Sequence, residues 1–411
     1  MTDVSALNIL LHGNKIGTLN LLPGDRSIFS FNEAYIAGKN RDTLSLSFKN
    51  PLGELLTKFE STGPNLLPFF SNLLPEGTLR NYLAEQAGVK PVRELYLLWA
   101  LGQDLPGAVT VVPDDGEGLP DDGDETTAKE KEARKEQALR FSLAGVQLKF
   151  SALRNAGKNG GLTIPAKGIG GEWIVKLPTD RFEGVPENEF SFMTIAQQIG
   201  IDVPEIELVD LKSIDGLPDG LGRLLGEKAF AIKRFDRSDD GPMHIEDFAQ
   251  VFGRYPHQKY EKASYGNIAT VLGIETTQND IAEFIRRLVY STLIGNDDMH
   301  LKNWSLIYYD RKTPSIAPAY DLLATIPYLP SKTAALKYAS TNVMAELTLN
   351  ELAVLASKAK LPEKLVLDTA KETVAAFQEV WANEKTNLAL SEDVIKAVDA
   401  HLATLLLPLE C

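Results

Sequence analysis

The chain has 411 residues, 44% hydrophobic and 24% charged, a formal net charge of −14 and one cysteine, Cys411. That length accommodates two or three domains with substantial cores, while the acidic balance argues against nucleic acid as the main partner of this chain alone and favours partners with basic segments. A lone cysteine excludes an intramolecular disulfide or a cysteine metal site, and neither an apolar run of about 18 residues nor a basic signal-peptide n-region is present, so a cytoplasmic protein without a membrane span is expected.

Residues 8–20 alternate around Gly13 and Gly17 and predict an early hairpin; "TLSLSF" at 43–48 alternates cleanly and predicts a further strand. "NLLPEGTLRNYLAEQAG" predicts a helix after Pro75, and "RELYLLWALG" a helix stopped by Gly102. With "GAVTVVP" as a strand, residues 1–113 form a small α+β unit. The stretch from Asp114 to Glu125 holds seven acidic residues, three glycines and a proline, and no basic residue. It predicts a solvated linker running into a short charged helix at about 128–138, so 114–140 is set apart as a connecting segment.

Residues 141–237 are strand-rich. "SLAGVQLKFSAL", "GLTIP", "GEWIVKLP", "IELVDL" and "KAFAIKRFDR" are apolar runs punctuated by Gly and Pro, interrupted by one helical pattern at 186–200. From 238 to 411 the pattern is mostly helical, broken around 303–330. In "DIAEFIRRLVYSTLIGN", Ile281, Phe284, Ile285, Leu288 and Thr292 share one helical face, and Gly295-Asn296 ends the helix. The polar loop "DDMHLKN" follows, then a strand–turn–strand hairpin, then Asp321.

That order carries chemistry. Asp298 and Asn303 are five apart, the D-x-x-x-x-N spacing of protein-kinase catalytic loops, and Asp321 follows the hairpin where kinases place a metal-binding aspartate. One carboxylate accepts the proton of an incoming hydroxyl, while an amide oxygen and a second carboxylate hold Mg²⁺ against phosphates. Phosphoryl transfer also needs a lysine on a strand. In "EWIVKLP", Trp173, Val175 and Leu177 face one way and Ile174 and Lys176 the other, and a lysine so placed needs a carboxylate partner, either Glu187 or Glu189. No G-x-G-x-x-G precedes it; Ala144-Gly145 predicts a turn whose backbone can approach phosphates, with Gln147 and Lys149 opposite Val146, Leu148 and Phe150.

"SLAGVQLK", "WIVKLP", "KRFDR", "GNDDMHLKN" and "PAYDLLAT" together resemble the motif series of HipA-type toxin kinases, and "FSNLLPEGTLRNYLAEQAG" and "LGQDLPGAVTVVP" resemble that family's extra N-terminal subdomain. The resemblance implies an α+β, protein-kinase-like two-lobed fold with an added N-terminal α+β subdomain and an all-α C-terminal lobe. It implies a serine/threonine protein kinase, the toxin of a type II toxin–antitoxin pair, that phosphorylates a translation component such as glutamyl-tRNA synthetase, arrests growth and favours persistence. Carried over by motif, Asp298 is the catalytic base, and Asn303 and Asp321 bind Mg²⁺. ATP is held by the loop Ala144, Gly145, Val146, Gln147, Leu148 and Lys149, by Lys176, by a hinge of Lys233, Arg234 and Phe235, and by His300, Lys302 and Tyr320. His300 fits loop scaffolding equally well. Ser142 matches an autophosphorylated serine whose modification expels the loop. The partner implied is a HipB-like helix-turn-helix antitoxin, with DNA reached only through that complex, which represses its own operon. Two other readings share the residues: a small-molecule kinase of the same fold, and a non-catalytic co-repressor subunit.

Overall fold

The computed structural model describes residues 6–114, 149–155, 161–164, 171–217 and 223–411. Ser142, the 144–148 part of the phosphate loop and the expected helix at 128–138 lie outside the described residues, as does the acidic stretch beyond Asp114.

The N-terminal unit is an antiparallel sheet in the order β3-β2-β1-β4, from β1 (Ala6–Leu11), β2 (Asn14–Leu22), β3 (Arg26–Phe31) and β4 (Val109–Pro113). The first two strands form the expected hairpin, turning at His12-Gly13 with both φ angles positive. Four helices accompany the sheet: α1 (Glu33–Ala37), α2 (Pro68–Ser71), α3 (Gly77–Ala87) and α4 (Glu94–Leu101). Every residue of α4 is buried, its one carboxylate included. Glu94 is satisfied there by the Leu66 N–H, the Ser71 hydroxyl and the Arg80 guanidinium, which is the condition for burying a charge.

Residues 43–48 are not a strand. Ser45 caps a single 3₁₀ turn, Leu46–Phe48, by accepting from the Ser47 N–H, and its hydroxyl donates to Glu246, 201 residues away, at 2.5 Å. Local side-chain hydrogen bonding displaces the ladder that the alternation suggested.

The second sheet runs β8-β10-β7-β5-β6-β9, built from β5 (Lys149–Arg154), β6 (Leu162–Thr163), β7 (Trp173–Lys176), β8 (Ile206–Asp210), β9 (Ile214–Asp215) and β10 (Lys228–Lys233). Its two faces serve different cores. Trp173, Val175 and Leu177 join Phe150 and Ala231 in a core continuous with the N-terminal unit. Ile174, Phe230 and Ile232 pack with helix α5 (Val185–Gln198) and the C-terminal lobe. The period of two along β7 thus sorts side chains between two interiors.

A small hairpin, β11 (Arg237–Ser238) with β12 (Gly241–Pro242), leads into the C-terminal lobe. That lobe is helical, with α6 (Phe248–Val251), α7 (Tyr265–Glu275), α8 (Gln278–Leu293), α9 (Leu349–Ala359), α10 (Glu363–Glu384), α11 (Glu392–Leu402) and α12 (Leu407–Glu410). It is not all-α: a three-stranded antiparallel sheet of β13 (His244–Asp247), β14 (Ser305–Tyr308) and β15 (Ser315–Ile316) lies among the helices. Helix α8 opens on a capping box in which Thr277 and Asp280 satisfy each other's backbone N–H. It ends at Gly295, where φ is +67° and a Cβ would stand 2.4 Å from Ile326. Only glycine fits that exit, and the exit aims the polar loop at the cleft beneath the second sheet.

Candidate active site

Lys176 ends β7, directly across from Lys149 on β5. Its ammonium is buried and lies 2.6 Å from Glu189 Oε1, and it also pairs with Asp321. The partner is therefore Glu189. Because α5 starts at Val185, its buried face runs through Val185, Asn188, Glu189 and Phe192, while Glu187 is only half-buried. Burial would raise the Asp321 carboxyl, but the Lys176 charge outweighs it and holds the group down at about 2. Lys149 is pulled down to about 8 by burial, with Asp321 opposing.

Asp321 sits in the left-handed region at φ +55°, a conformation that aspartate tolerates better than most residues. Asn296 holds it there. The Asn296 amide donates to the Asp321 carbonyl at 3.0 Å, and its Oδ1 accepts from the Asp298 N–H at 3.1 Å. One side chain thus spans both acidic positions. Asn303 donates its amide to the Asp298 carbonyl at 2.9 Å, which spends the nitrogen on the loop and leaves the amide oxygen as its ligand end. Asp298 itself accepts from the Tyr260 hydroxyl at 2.5 Å. Burial pushes its carboxyl upward, and the Tyr260 hydrogen bond counters that.

The structure brings Lys149, Lys176, Asp298, Asn303 and Asp321 to one cleft, with Phe235 and Tyr320 stacked beside them at 5.8 Å. Tyr320 accepts from the Ser305 hydroxyl at 2.6 Å and donates its own proton to the Lys302 carbonyl. His300 is buried; burial holds its imidazole neutral, down at about 3, and the ring meets the edge of Tyr260 at 5.0 Å.

Two expected pocket residues are placed elsewhere. The Arg234 guanidinium, 1% exposed, pairs with Asp104 and Asp236 at 2.9 Å, at the junction with the N-terminal unit. The Lys302 ammonium bonds the Asn72 carbonyl at 3.0 Å and Glu76 at 3.1 Å. Each cation has a carboxylate partner at least 130 residues distant, Asp104 for Arg234 and Glu76 for Lys302, beside the nearer Asp236 and, at 3.8 Å, Asp247. Lys233 is half-exposed, 3.7 Å from Glu205. Asn296, Tyr260, Lys259 and Glu76 were not singled out from the sequence; Asn296 was read only as a helix terminator, and the others reach the site through tertiary contact alone.

A family model described as the HipA-like C-terminal domain matches residues 141–381, and the HipA N-terminal domain model matches residues 7–112. The chain belongs to the HipA family. It is similar to a Sinorhizobium fredii protein named "Putative kinase Y4dM", at 59% identity over 98% of each chain. The serine/threonine-protein kinase toxin HipA of Shewanella oneidensis is 28% identical over 65% of each chain. In fold it matches the Shewanella oneidensis HipA, HipB and operator DNA complex, with a TM-score of 0.71 at 22% identity, over 97% of this chain and 96% of the other. The two-lobed α+β architecture with its added N-terminal unit is thus a HipA fold. No helix among the described residues is long and apolar enough to cross a membrane.

Proposed function

We propose that the chain is an ATP- and Mg²⁺-dependent serine/threonine protein kinase and the toxin half of a toxin–antitoxin pair. The observation that carries this reading is the convergence of Lys176, paired to Glu189, with Asp298, Asn303 and Asp321 in one cleft. In kinases these are the groups that hold the nucleotide phosphates, accept a hydroxyl proton and bind the metal.

The donor set fits the cofactor. Asp321 remains ionised and Asn303 keeps its amide oxygen free of the loop, a hard-oxygen pair suited to Mg²⁺. Among the described residues no group of three or more His, Cys, Asp or Glu side chains could hold a metal ion, so the rest of the shell would come from phosphate oxygens and water. When bound, Mg²⁺–ATP supplies the phosphoryl group. Lys176 would anchor its phosphates, Phe235 and Tyr320 would offer a flat apolar wall to the base, and Asp298 would orient a serine hydroxyl and take its proton as the new O–P bond forms and the bond from the γ-phosphorus to the departing ADP breaks. Lys149 would add charge on the phosphate side, and the motif at 144–148 and Ser142 would carry the phosphate-loop and autophosphorylation roles that the family resemblance implies. A HipB-like antitoxin, a translation component such as an aminoacyl-tRNA synthetase as substrate, and DNA contact through the antitoxin are part of the same proposal. Membership of the HipA family and the similarity to a HipA, HipB and operator DNA complex support the antitoxin and DNA partners, and the similarity to a serine/threonine-protein kinase toxin of Shewanella oneidensis supports the toxin role.

Calorimetry tests the cofactor assignment. Mg²⁺ alone should bind weakly and ATP tightly only in its presence; tight Mg²⁺ binding without nucleotide would contradict it.

A further inference from the structure

The run "SNLLPEG" at 71–77 belongs to the N-terminal unit, yet it grips the catalytic loop. The Glu76 carboxylate, 14% exposed, lies 3.1 Å from two ammonium groups, Lys259 through one oxygen and Lys302 through the other. Asn72 adds to the same grip. Its carbonyl and Oδ1 accept from Lys302 at 3.0 and 3.2 Å, and its amide donates to the Arg254 carbonyl at 2.7 Å. Residues 72–76 therefore fasten the 254–259 segment to one side of the loop and Lys302 to the other. The two are also joined directly, by the Leu301 N–H donating to the Lys259 carbonyl at 3.1 Å. The residue after Lys259 is Tyr260, whose hydroxyl rests on Asp298 Oδ1 and whose ring lies against His300.

We propose that the N-terminal unit is a working part of the catalytic loop: Glu76 clamps Lys259 and Lys302, and this seats the Tyr260 hydroxyl on Asp298 so that the carboxylate presents its other oxygen to the substrate hydroxyl. The proposal rests on the kinase reading of the cleft. Glu76 and Tyr260 are positioning residues, acting through Asp298. The ion pairs are nearly closed to water, so removing the carboxylate deprives Lys259 of its partner and leaves Lys302 only the longer 3.8 Å pair with Asp247. A base displaced by even about an ångström loses roughly a hundredfold in rate. The Tyr260 bond is charge-assisted and fixes one of the two carboxylate oxygens. In the kinase reading the nucleotide is held by Lys176, Lys149 and Asp321, whereas Glu76 pairs with Lys259 and Lys302.

The test is a rate-against-affinity split on the full chain. Incorporation of ³²P from labelled ATP into the chain itself is followed over a range of ATP concentrations for wild type, Tyr260→Phe, Glu76→Gln and the double variant. The remote surface variant Glu392→Gln serves as control, and binding of a fluorescent ATP analogue is titrated in parallel. The proposal predicts maximal rates lowered about tenfold or more in both single variants, with half-saturating ATP and analogue affinity within about twofold of wild type. The double variant should lose little beyond the worse single one, because the two residues act in series. Equal rates in wild type and both variants overturn the proposal, as does a loss that appears only as weaker ATP binding. Should Glu76→Gln fail to fold, Tyr260→Phe, which deletes one hydroxyl, decides the matter alone. A wild-type chain that takes up no label overturns the kinase reading and this inference with it.

Discussion

Two buried ionic clusters lie at opposite ends of the paired strands β7 and β10, and they differ in what they leave open. At the junction with the N-terminal unit, Arg234 and Arg237 interlock with Asp104 and Asp236; each guanidinium makes 2.9 Å contacts to both carboxylates. The planar forks saturate the oxygens they meet. In the cleft a single ammonium, Lys176, is divided between Glu189 on α5 and Asp321 beyond β15. An ammonium is a point charge without a preferred plane, and Asp321 stays 27% exposed. Burial of charge therefore does not by itself identify a functional site. The junction is closed and holds the units together, whereas the cleft holds a carboxylate that can exchange a lysine for a cation.

Exchanging the central cation of each cluster should break the comparison most visibly. Lys176→Met is expected to lower phosphoryl transfer about a hundredfold or more, the scale of removing a preorganised charge from a transition state. Its urea midpoint should fall less, because Asp321 can still reach water and only Glu189 is left buried without its cation. Arg234→Met should do the reverse and cost about 3–5 kcal/mol of stability, because it strands buried carboxylates. Equal stability losses in the two variants would dissolve the distinction.

Both clusters should lose stability in acid, since Asp321 and Asp236 are each held down at about 2, and the junction's share is read from its arginine variant. The Asp236 carboxyl would be raised by burial, but Arg234 and Arg237 hold it down at about 2, against 3.8 for an ordinary aspartate. A depressed folded pKa gives stability that is present above about pH 4 and lost as pH falls through 2, here about 2 kcal/mol. Urea melts between pH 5 and pH 2.5 should show that slope in wild type and a shallower one in Arg234→Met; identical slopes would remove Asp236 from the account. The smallest effect is expected at Lys233. Its half-exposed pair with Glu205 should contribute under about 1 kcal/mol, so Lys233→Ala should melt within error of wild type.

The same contrast explains what could be read from the chain in advance. Asp298, Asn303 and Asp321 lie within 24 positions of sequence, and the helix exit at Gly295 and the following hairpin bring them together by local geometry. The alternation along β7 was equally legible, because a strand assigns its faces by parity. Choosing Glu189 over Glu187 required knowing where α5 begins. Arg234 and Lys302 stand in motifs, so both were assigned to the nucleotide; their actual partners, Asp104, Asn72 and Glu76, belong to a unit whose docking no local pattern records. Residues 43–48 alternate like a strand, yet the Ser45 hydroxyl finds Glu246 across the domain junction. In each case a long-range charge or hydrogen bond overrode a local signal.

The central claim is that this cleft transfers phosphate with Asp298 as its base. The most direct test compares wild type with Asp298→Asn, a substitution that keeps shape and can still accept the Tyr260 hydroxyl bond through its amide oxygen, but cannot take a proton. The account predicts ³²P transfer from ATP by the wild type and a loss of roughly a hundredfold or more in the variant, with an unchanged melting curve. Full transfer by Asp298→Asn would contradict it.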